Sequence, residues 1–154
     1  MILAIDPGPV RSGVVSYADG RVVFAEPDML NGALLAHLQH GDHPPGQRLA
    51  IETMQANYAA TVGASVIDTL RWVGRFQQAW RDPEGVLLLS RQTIKARVCN
   101  GNVKANDAGV RAALIDRLGP PGTKKAPGPT YGVTSHAWAA LAVAVSAAQQ
   151  QGRE

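Results

Sequence analysis

The 154-residue chain has little of several residue types, and each shortage excludes a class of protein. Its single cysteine, Cys99, cannot form a disulfide within the chain, which argues against a disulfide-stabilised secreted domain. No apolar run approaches the ~20 residues of a membrane-spanning helix. No basic segment precedes the first apolar run, as it would in a signal peptide. We therefore expect a cytoplasmic protein without a membrane association.

Charge is also scarce, whereas apolar residues are plentiful. Charged residues make up 18% of the chain and apolar residues 45%, so the sequence is not that of a disordered protein. A chain of this length suits one domain, which we expect to span residues 1–154. The net charge of +3 is modest but makes polyanions reasonable partners.

The order of apolar segments and turns predicts an α/β fold. Strands are expected at 2–6, 12–18, 21–26, 47–52 and 85–90, with an Ala-Asp-Gly hairpin turn between the second and third. Helices are expected at 28–40, 57–81, 107–118 and 134–149, and a short helix or turn at 91–101. Strands separated by helices pair in parallel. The sequence therefore predicts a mixed five-stranded sheet, with a three-stranded antiparallel meander and two parallel strands, flanked by helices.

Two of the predicted strands end in a carboxylate, Asp6 and Glu52. Asp6 opens an Asp-Pro-Gly sequence, which is also ordinary turn chemistry, so Asp6 alone does not distinguish a turn from a ligand. If the two strands are parallel neighbours, both carboxylates lie at the carboxyl end of the sheet. Protonation or a bound divalent cation would relieve their repulsion. Such oxygen ligands favour Mg²⁺ or Mn²⁺, and two such ions can activate a water and stabilise the leaving oxygen in phosphodiester hydrolysis.

Two further side chains could complete such a site. His136 lies on the first turn of the predicted Ala-rich last helix and could bind a metal ion or carry a proton, although a lone histidine is more often a structural residue. Asp107 lies at the expected start of a helix that Asn106 could cap. There its carboxylate could be a ligand or could simply stabilise the helix dipole.

Three segments, AIDPGPVRSGVV, LAIETMQAN and SHAWAALAVAV, resemble the active-site blocks of the RuvC-type Holliday junction resolvases, which have an RNase H-like fold. The segments KANDAGVRAALIDRLG and GTKKAPGPTYGVTSHAW resemble the phage branch of that family. The resemblance covers nearly the whole chain. It implies a homodimeric, Mg²⁺-dependent endonuclease, with Mn²⁺ as a substitute, that resolves four-way and other branched DNA junctions. Position by position, it implies that Asp6, Glu52 and His136 are the catalytic metal ligands.

The last block departs from the family pattern at Ala139, where a second ligand, normally an Asp, is expected. Alanine cannot bind a metal ion. The position could carry an inactivating substitution, Asp107 could supply the missing carboxylate, or the chain could bind junctions and cut them poorly. The alternatives are therefore a junction-binding protein without catalysis, an RNase H-like nuclease for another branched or hybrid substrate, and a metal-free structural domain.

Several polar and basic residues are candidate DNA contacts. They are Asn57, Tyr58, Arg91, Lys95, Arg97, Lys104, Lys124 and Lys125. Lys95 is the leading candidate, because its Arg-Gln-Thr-Ile-Lys context resembles the family segment that carries a functional lysine. The basic residues could equally form a solvated surface. Tyr58 could stack on an unpaired base or pack inside the protein.

The long predicted helix at 57–81 carries an apolar stripe that we expect to be mostly core. Its length suggests a second face, and the resemblance places the dimer interface there. Trp72 and Trp80 are the candidate interface anchors.

Overall fold

The structure, a computed structural model, describes residues 1–54 and 63–151. Its strands are β1 Ile2–Asp6, β2 Arg11–Ala18, β3 Arg21–Leu30, β4 Arg48–Thr53 and β5 Leu87–Ser90. Its helices are α1 Asn31–His40, α2 Ala64–Ala79, α3 Arg91–Val98, α4 Asp107–Leu118 and α5 Ala137–Gln151. The five strands form one sheet in the order β3-β2-β1-β4-β5. The predicted mixed sheet flanked by helices is confirmed.

The pairing of β1 and β4 determines where the candidate ligands lie. β1 is antiparallel to β2 and parallel to β4, with Ile5 opposite Ile51. The next residue of each strand is a carboxylate, Asp6 on β1 and Glu52 on β4. The parallel pairing therefore brings both carboxylates to the same end of the sheet, as the sequence predicted.

Each face of the sheet is covered by its own apolar core, because alternate strand residues point to opposite faces. On one face the sheet packs against α3, α4 and α5. Small side chains such as Ala140 and Ala144, both fully buried, let α5 lie close to the strands. On the other face, α1 and α2 pack against the sheet around Leu34 and Phe76, also fully buried. Both cores fix the strand ends that carry Asp6 and Glu52.

The third strand is longer than predicted. The sequence placed its end at Glu26 because Pro27 follows, but β3 continues through Pro27 to Leu30. β3 is an edge strand, where a missing backbone N–H is tolerated. The register with β2 also shifts between Ser12 and Val14, so Pro27 lies in a bulge.

The expectation for the long helix was partly wrong. α2 spans Ala64–Ala79, and part of the predicted 57–81 segment lies outside the described residues. Trp80, predicted to anchor a dimer, is only 4% exposed and packs in the core beside the His43 ring. Trp72 is half-buried beside Phe76, so its interface role stays a prediction.

Two expectations from composition can be compared with the fold. Within residues 1–54 and 63–151, no helix has the length and apolar character needed to cross a bilayer. Cys99 is a free, half-buried cysteine at the end of α3.

Candidate active site

A cleft of about 670 Å³ opens at the carboxyl ends of β1 and β4. The starts of α3, α4 and α5 form much of its other wall. Its charged and histidine lining residues are Asp6, Arg11, Asp28, Glu52, Arg91, Lys95, Asp107 and His136. All four side chains proposed from the sequence as ligands or catalytic groups therefore line one cleft.

A buried polar network holds the turn that follows Asp6. The Asn31 side chain, 1% exposed, donates through Nδ2 to the Gly8 carbonyl at 2.9 Å. Ser12 Oγ donates to Asn31 Oδ1 at 2.7 Å and accepts from the Gly8 N–H at 3.4 Å. Asp6 thus begins a real turn and also lines the cleft, so the turn interpretation is confirmed and the ligand interpretation stays a prediction. The sequence analysis missed Asn31 and Ser12, which join segments distant in the chain.

A glycine in β2 lets His136 approach Asp6. His136 directly precedes α5 instead of lying in its first turn, and its Nδ1 is 3.7 Å from Asp6 Oδ2. Gly13 pairs with Asp6 across β1 and β2, and a Cβ at Gly13 would lie 2.5 Å from the His136 carbonyl oxygen. Ser135 has a φ of 42°, a left-handed conformation uncommon outside glycine. A glycine inside an apolar strand is the sequence signal that could have revealed this close approach.

Arg91 connects Glu52 to Asp107. One guanidinium nitrogen, Nη1, donates to Glu52 Oε1 at 3.3 Å. The other, Nη2, donates to Asp107 Oδ1 at 2.5 Å. Arg91 was predicted to contact DNA, yet in the structure it is engaged by two carboxylates of the cleft. Asp107 is therefore linked to Glu52 by Arg91, which donates a hydrogen bond to each.

Helix caps fix both ends of this connection. Ser90 Oγ accepts from the Thr93 N–H at 3.1 Å, which sets the start of α3 where Arg91 lies. Asn106 Oδ1 accepts from the Gly109 N–H at 2.8 Å, which confirms the predicted cap of α4. Asp107 is therefore in the first turn of α4, as expected.

Burial raises the pKa of both strand-end carboxyl groups. The Asp6 side chain is 17% exposed, and loss of hydration, together with the Glu52 charge, raises its pKa from 3.8 to about 7. The Glu52 side chain is 16% exposed, and loss of hydration raises its pKa too. The Arg91 charge and hydrogen bond oppose that rise. The cleft is thus a place where a second negative charge is unfavourable unless a cation accompanies it.

The donor chemistry of the cleft fits a hard divalent cation. Within the described residues, no group of three or more His, Cys, Asp and Glu side chains is already gathered as a metal site. Two poorly hydrated carboxylates with raised pKa values, beside an imidazole, are nevertheless donors that gain by binding such an ion. Asp6, Glu52 and His136 would hold it. Ala139 also lines the cleft and contributes no donor.

Of the other predicted DNA contacts that the structure describes, Lys95 lines the cleft, one helical turn after Arg91, and the rest do not. Arg97 instead donates to backbone and side-chain oxygens near the end of α5. Lys104 is exposed between α3 and α4 but does not line the cleft. Asn57 and Tyr58 lie outside the described residues.

Lys124 and Lys125 are exposed on the loop between α4 and α5. The Pro129 carbonyl of this loop accepts from the Val22 N–H near the start of β3. That point lies at the opposite end of the sheet from Asp6, because β3 begins there. Their proposed contact with a junction arm stays a prediction.

Three charged or aromatic cleft residues, Arg11, Asp28 and Trp138, were missed. Arg11 lies at the start of β2 and its Nη1 donates to the Asp28 carbonyl and carboxylate at 2.9 and 3.2 Å. Trp138 lines the cleft from α5, and Arg111 stacks over its ring at 5.0 Å. Arg11 stands inside the first quoted sequence block, so its proximity to Asp6 in sequence was an available signal.

Comparison with known proteins defines the class of fold. No protein-family model and no curated protein sequence gives a significant match. The structure of Thermus thermophilus RuvC matches with 21% identity and a TM-score of 0.67, covering 98% of this chain and 96% of that one. T. thermophilus RuvC in complex with Holliday junction substrate matches with 20% identity and a TM-score of 0.65, covering 98% and 95%. The chain therefore has an RNase H-like fold. Within that class, its fold is of the RuvC type.

Proposed function

We propose that the chain is a divalent-metal-dependent endonuclease that resolves four-way DNA junctions and cuts related branched DNA. The observation that carries this proposal is the pair of poorly hydrated carboxylates, Asp6 and Glu52, at the ends of parallel strands in one cleft. The RuvC-type fold supports the substrate class, because one matching structure holds RuvC with a Holliday junction substrate.

The proposed reaction is hydrolysis of a DNA phosphodiester that leaves a 5′-phosphate. When bound, the divalent cation supplies activation of water and stabilisation of the leaving oxygen. Asp6, Glu52 and His136 hold the cation in the cleft. His136, whose side chain is 69% exposed, can also pass a proton between the cleft and solvent. Lys95 contacts phosphate beside the cut.

We also propose that two copies act together, because resolution of a four-way junction requires cuts in two opposed strands. Ile67 and Leu70 support this proposal, since they lie one turn apart on α2 and are 44% and 38% exposed. Light scattering should give the mass of a dimer. The mass of a single chain at working concentration would contradict this part of the proposal.

The test is cleavage of an end-labelled four-way junction in Mg²⁺ or Mn²⁺ by the unaltered chain and by Asp6→Asn. We expect the unaltered chain to make symmetric cuts. We expect the variant to cut more slowly by a factor of at least about 10²–10³. Junction binding should be unchanged or tighter, because a negative charge near phosphate is removed. Asp116→Asn, on the exposed side of α4, removes the same charge away from the cleft and should cut normally.

Two outcomes would contradict the role given to Asp6. One is Asp6→Asn cutting at the unaltered rate, and the other is loss of junction binding together with cutting. Parallel assays on Y-shaped, flap and RNA–DNA hybrid substrates identify which branch the enzyme prefers. Faster cutting of a hybrid than of any branched DNA would favour the alternative RNase H-like substrate.

A second candidate function, junction binding without catalysis, is favoured by Ala139. This residue lines the cleft on α5 and adds no donor to the two carboxylates and the imidazole. Binding that persists while neither Mg²⁺ nor Mn²⁺ supports cutting would favour this candidate. Cutting gained by Ala139→Asp would then identify the missing carboxylate as the cause.

A further inference from the structure

We propose that Arg91 takes the place of a second metal ion, so that the cleft binds one divalent cation per chain. The inference rests on the proposed metal-dependent function and makes it more specific. Two-metal hydrolysis uses two ions to stabilise the attacking and leaving oxygens. In this cleft a permanent positive charge of the protein already lies against one of the strand-end carboxylates.

The position of Arg91 is determined at both ends of its side chain. Its backbone begins α3, at the start fixed by the Ser90 cap. Its guanidinium donates to Glu52 Oε1 at 3.3 Å and to Asp107 Oδ1 at 2.5 Å, so it joins two elements that face each other across the cleft. A guanidinium stays protonated at every working pH and presents its donors in a fixed plane. Arg91 is therefore a stable cation of the cleft.

The charge of the lining is suited to one ion. With its four carboxyl groups ionised, as cation binding requires, the cleft has four negative charges against the three positive charges of Arg11, Arg91 and Lys95, a net charge of −1 for these groups. One divalent cation changes this to +1, which complements the single negative charge of a phosphodiester. Two divalent cations would give +3, an excess that a single phosphate does not neutralise.

The donors for a second ion are also missing. Glu52 Oε1 and Asp107 Oδ1 are both engaged by Arg91. On the α5 side of the cleft, Ala139 offers only a methyl group. A second ion would have to displace Arg91 from both carboxylates and would then lie beside its positive charge, which repels it.

The experiment is a calorimetric titration of the full chain with Mn²⁺, without DNA, followed by electron paramagnetic resonance of the loaded protein. We expect one Mn²⁺ per chain in the unaltered protein and the spectrum of isolated ions. Arg91→Gln releases Glu52 and Asp107, so it should bind two Mn²⁺ and show spin coupling between them. Arg91→Lys keeps the positive charge and should still bind one.

The matched control is Arg21→Gln at the start of β3, at the other end of the sheet. It removes the same charge and should leave the stoichiometry at one. Circular dichroism shows whether each variant is folded, and Arg91→Lys provides the test if Arg91→Gln is not.

Any other stoichiometry would contradict the inference, and the result shows whether the proposed metal dependence fails with it. Two Mn²⁺ in the unaltered chain would show that Arg91 is displaced, and the metal-dependent function would survive. One Mn²⁺ in a folded Arg91→Gln, or two in Arg91→Lys, would show that the charge of Arg91 does not set the number. No Mn²⁺ in the unaltered chain would overturn the proposed metal dependence, and this inference with it.

Discussion

Each half of the cleft has one poorly hydrated carboxyl group, and the basic side chain beside that group differs between the two halves. In the β1 half, Asp6 has the His136 imidazole at 3.7 Å; in the β4 half, Glu52 has the Arg91 guanidinium at 3.3 Å. The carboxylates are equally buried, at 17% and 16% exposed. Loss of hydration raises the pKa of Asp6 to about 7 although the His136 and Arg91 charges oppose the rise, whereas at Glu52 both the charge and a hydrogen bond of Arg91 oppose it. Burial raises the pKa of both carboxyl groups, and Arg91 acts most directly on Glu52, to which it donates a hydrogen bond.

The largest effect that tests this difference between Asp6 and Glu52 is expected in the pH dependence of the free energy of unfolding, measured without metal. The folded pKa of Asp6 is about 7, above its unfolded value, so the favourable contribution of the protonated group is complete below about pH 4 and is lost as pH rises through 7. Asp6→Asn should therefore be more stable than the unaltered chain by about 2–4 kcal/mol near pH 8.5, with no gain near pH 4.

Urea unfolding at the two pH values, in chelator, measures this difference. Glu52→Gln is the matched variant, and it should gain less near pH 8.5 because Arg91 already opposes the pKa rise there. An equal or larger gain for Glu52→Gln would show that Arg91 does not distinguish the two halves.

A smaller effect should follow from closing the space between β2 and His136. In Gly13→Ala, the added Cβ would lie 2.5 Å from the His136 carbonyl oxygen, and backbone must shift to relieve it. We expect a loss of about 1–3 kcal/mol in the free energy of unfolding and weaker Mn²⁺ binding. Gly74→Ala is the control, since a Cβ there has open space among the described residues, and it should gain about 0.5–1 kcal/mol in α2.

Thermal unfolding and calorimetry report these two quantities. If Gly13→Ala loses stability but keeps its Mn²⁺ affinity, the position of His136 does not determine Mn²⁺ binding, which would contradict its role as a ligand.

The smallest effect on the free energy of unfolding is expected from loss of the exposed ion pair between Asp107 and Arg91. Asp107 is 87% exposed at its side chain, so its ion pair with Arg91 is well hydrated. Asp107→Asn should cost about 0.2–1 kcal/mol, reduced further in high salt. Chemical denaturation in low and high salt measures it. A loss above that range, insensitive to salt, would mean that Asp107 acts as part of the buried pair.

Sequence patterns located the carboxylate pair because it follows from the backbone alone. Apolar strands with a helical crossover imply parallel neighbours, and parallel neighbours place their terminal residues, Asp6 and Glu52, together. The end of β3 was misplaced for a related reason. Proline stops most strands, but Pro27 lies on an edge and in a bulge, and neither property is visible before the strand order is known.

The connections made by side chains were not predictable in the same way. Arg91 and Glu52 are far apart in sequence, and a basic residue in a mixed-charge segment is as compatible with solvent or phosphate as with a carboxylate. Trp80 was assigned to an interface from the length of its helix and the family resemblance, but it packs in the core. A stripe gives the spacing of apolar residues and does not indicate how wide the buried face is.

The most direct test of the central claim is anomalous scattering from crystals of the protein soaked in Mn²⁺. The account predicts one peak in the cleft, within coordination distance of both Asp6 and Glu52. A well-occupied peak that touches neither carboxylate, or no peak in the cleft at a concentration that supports cutting, would contradict it.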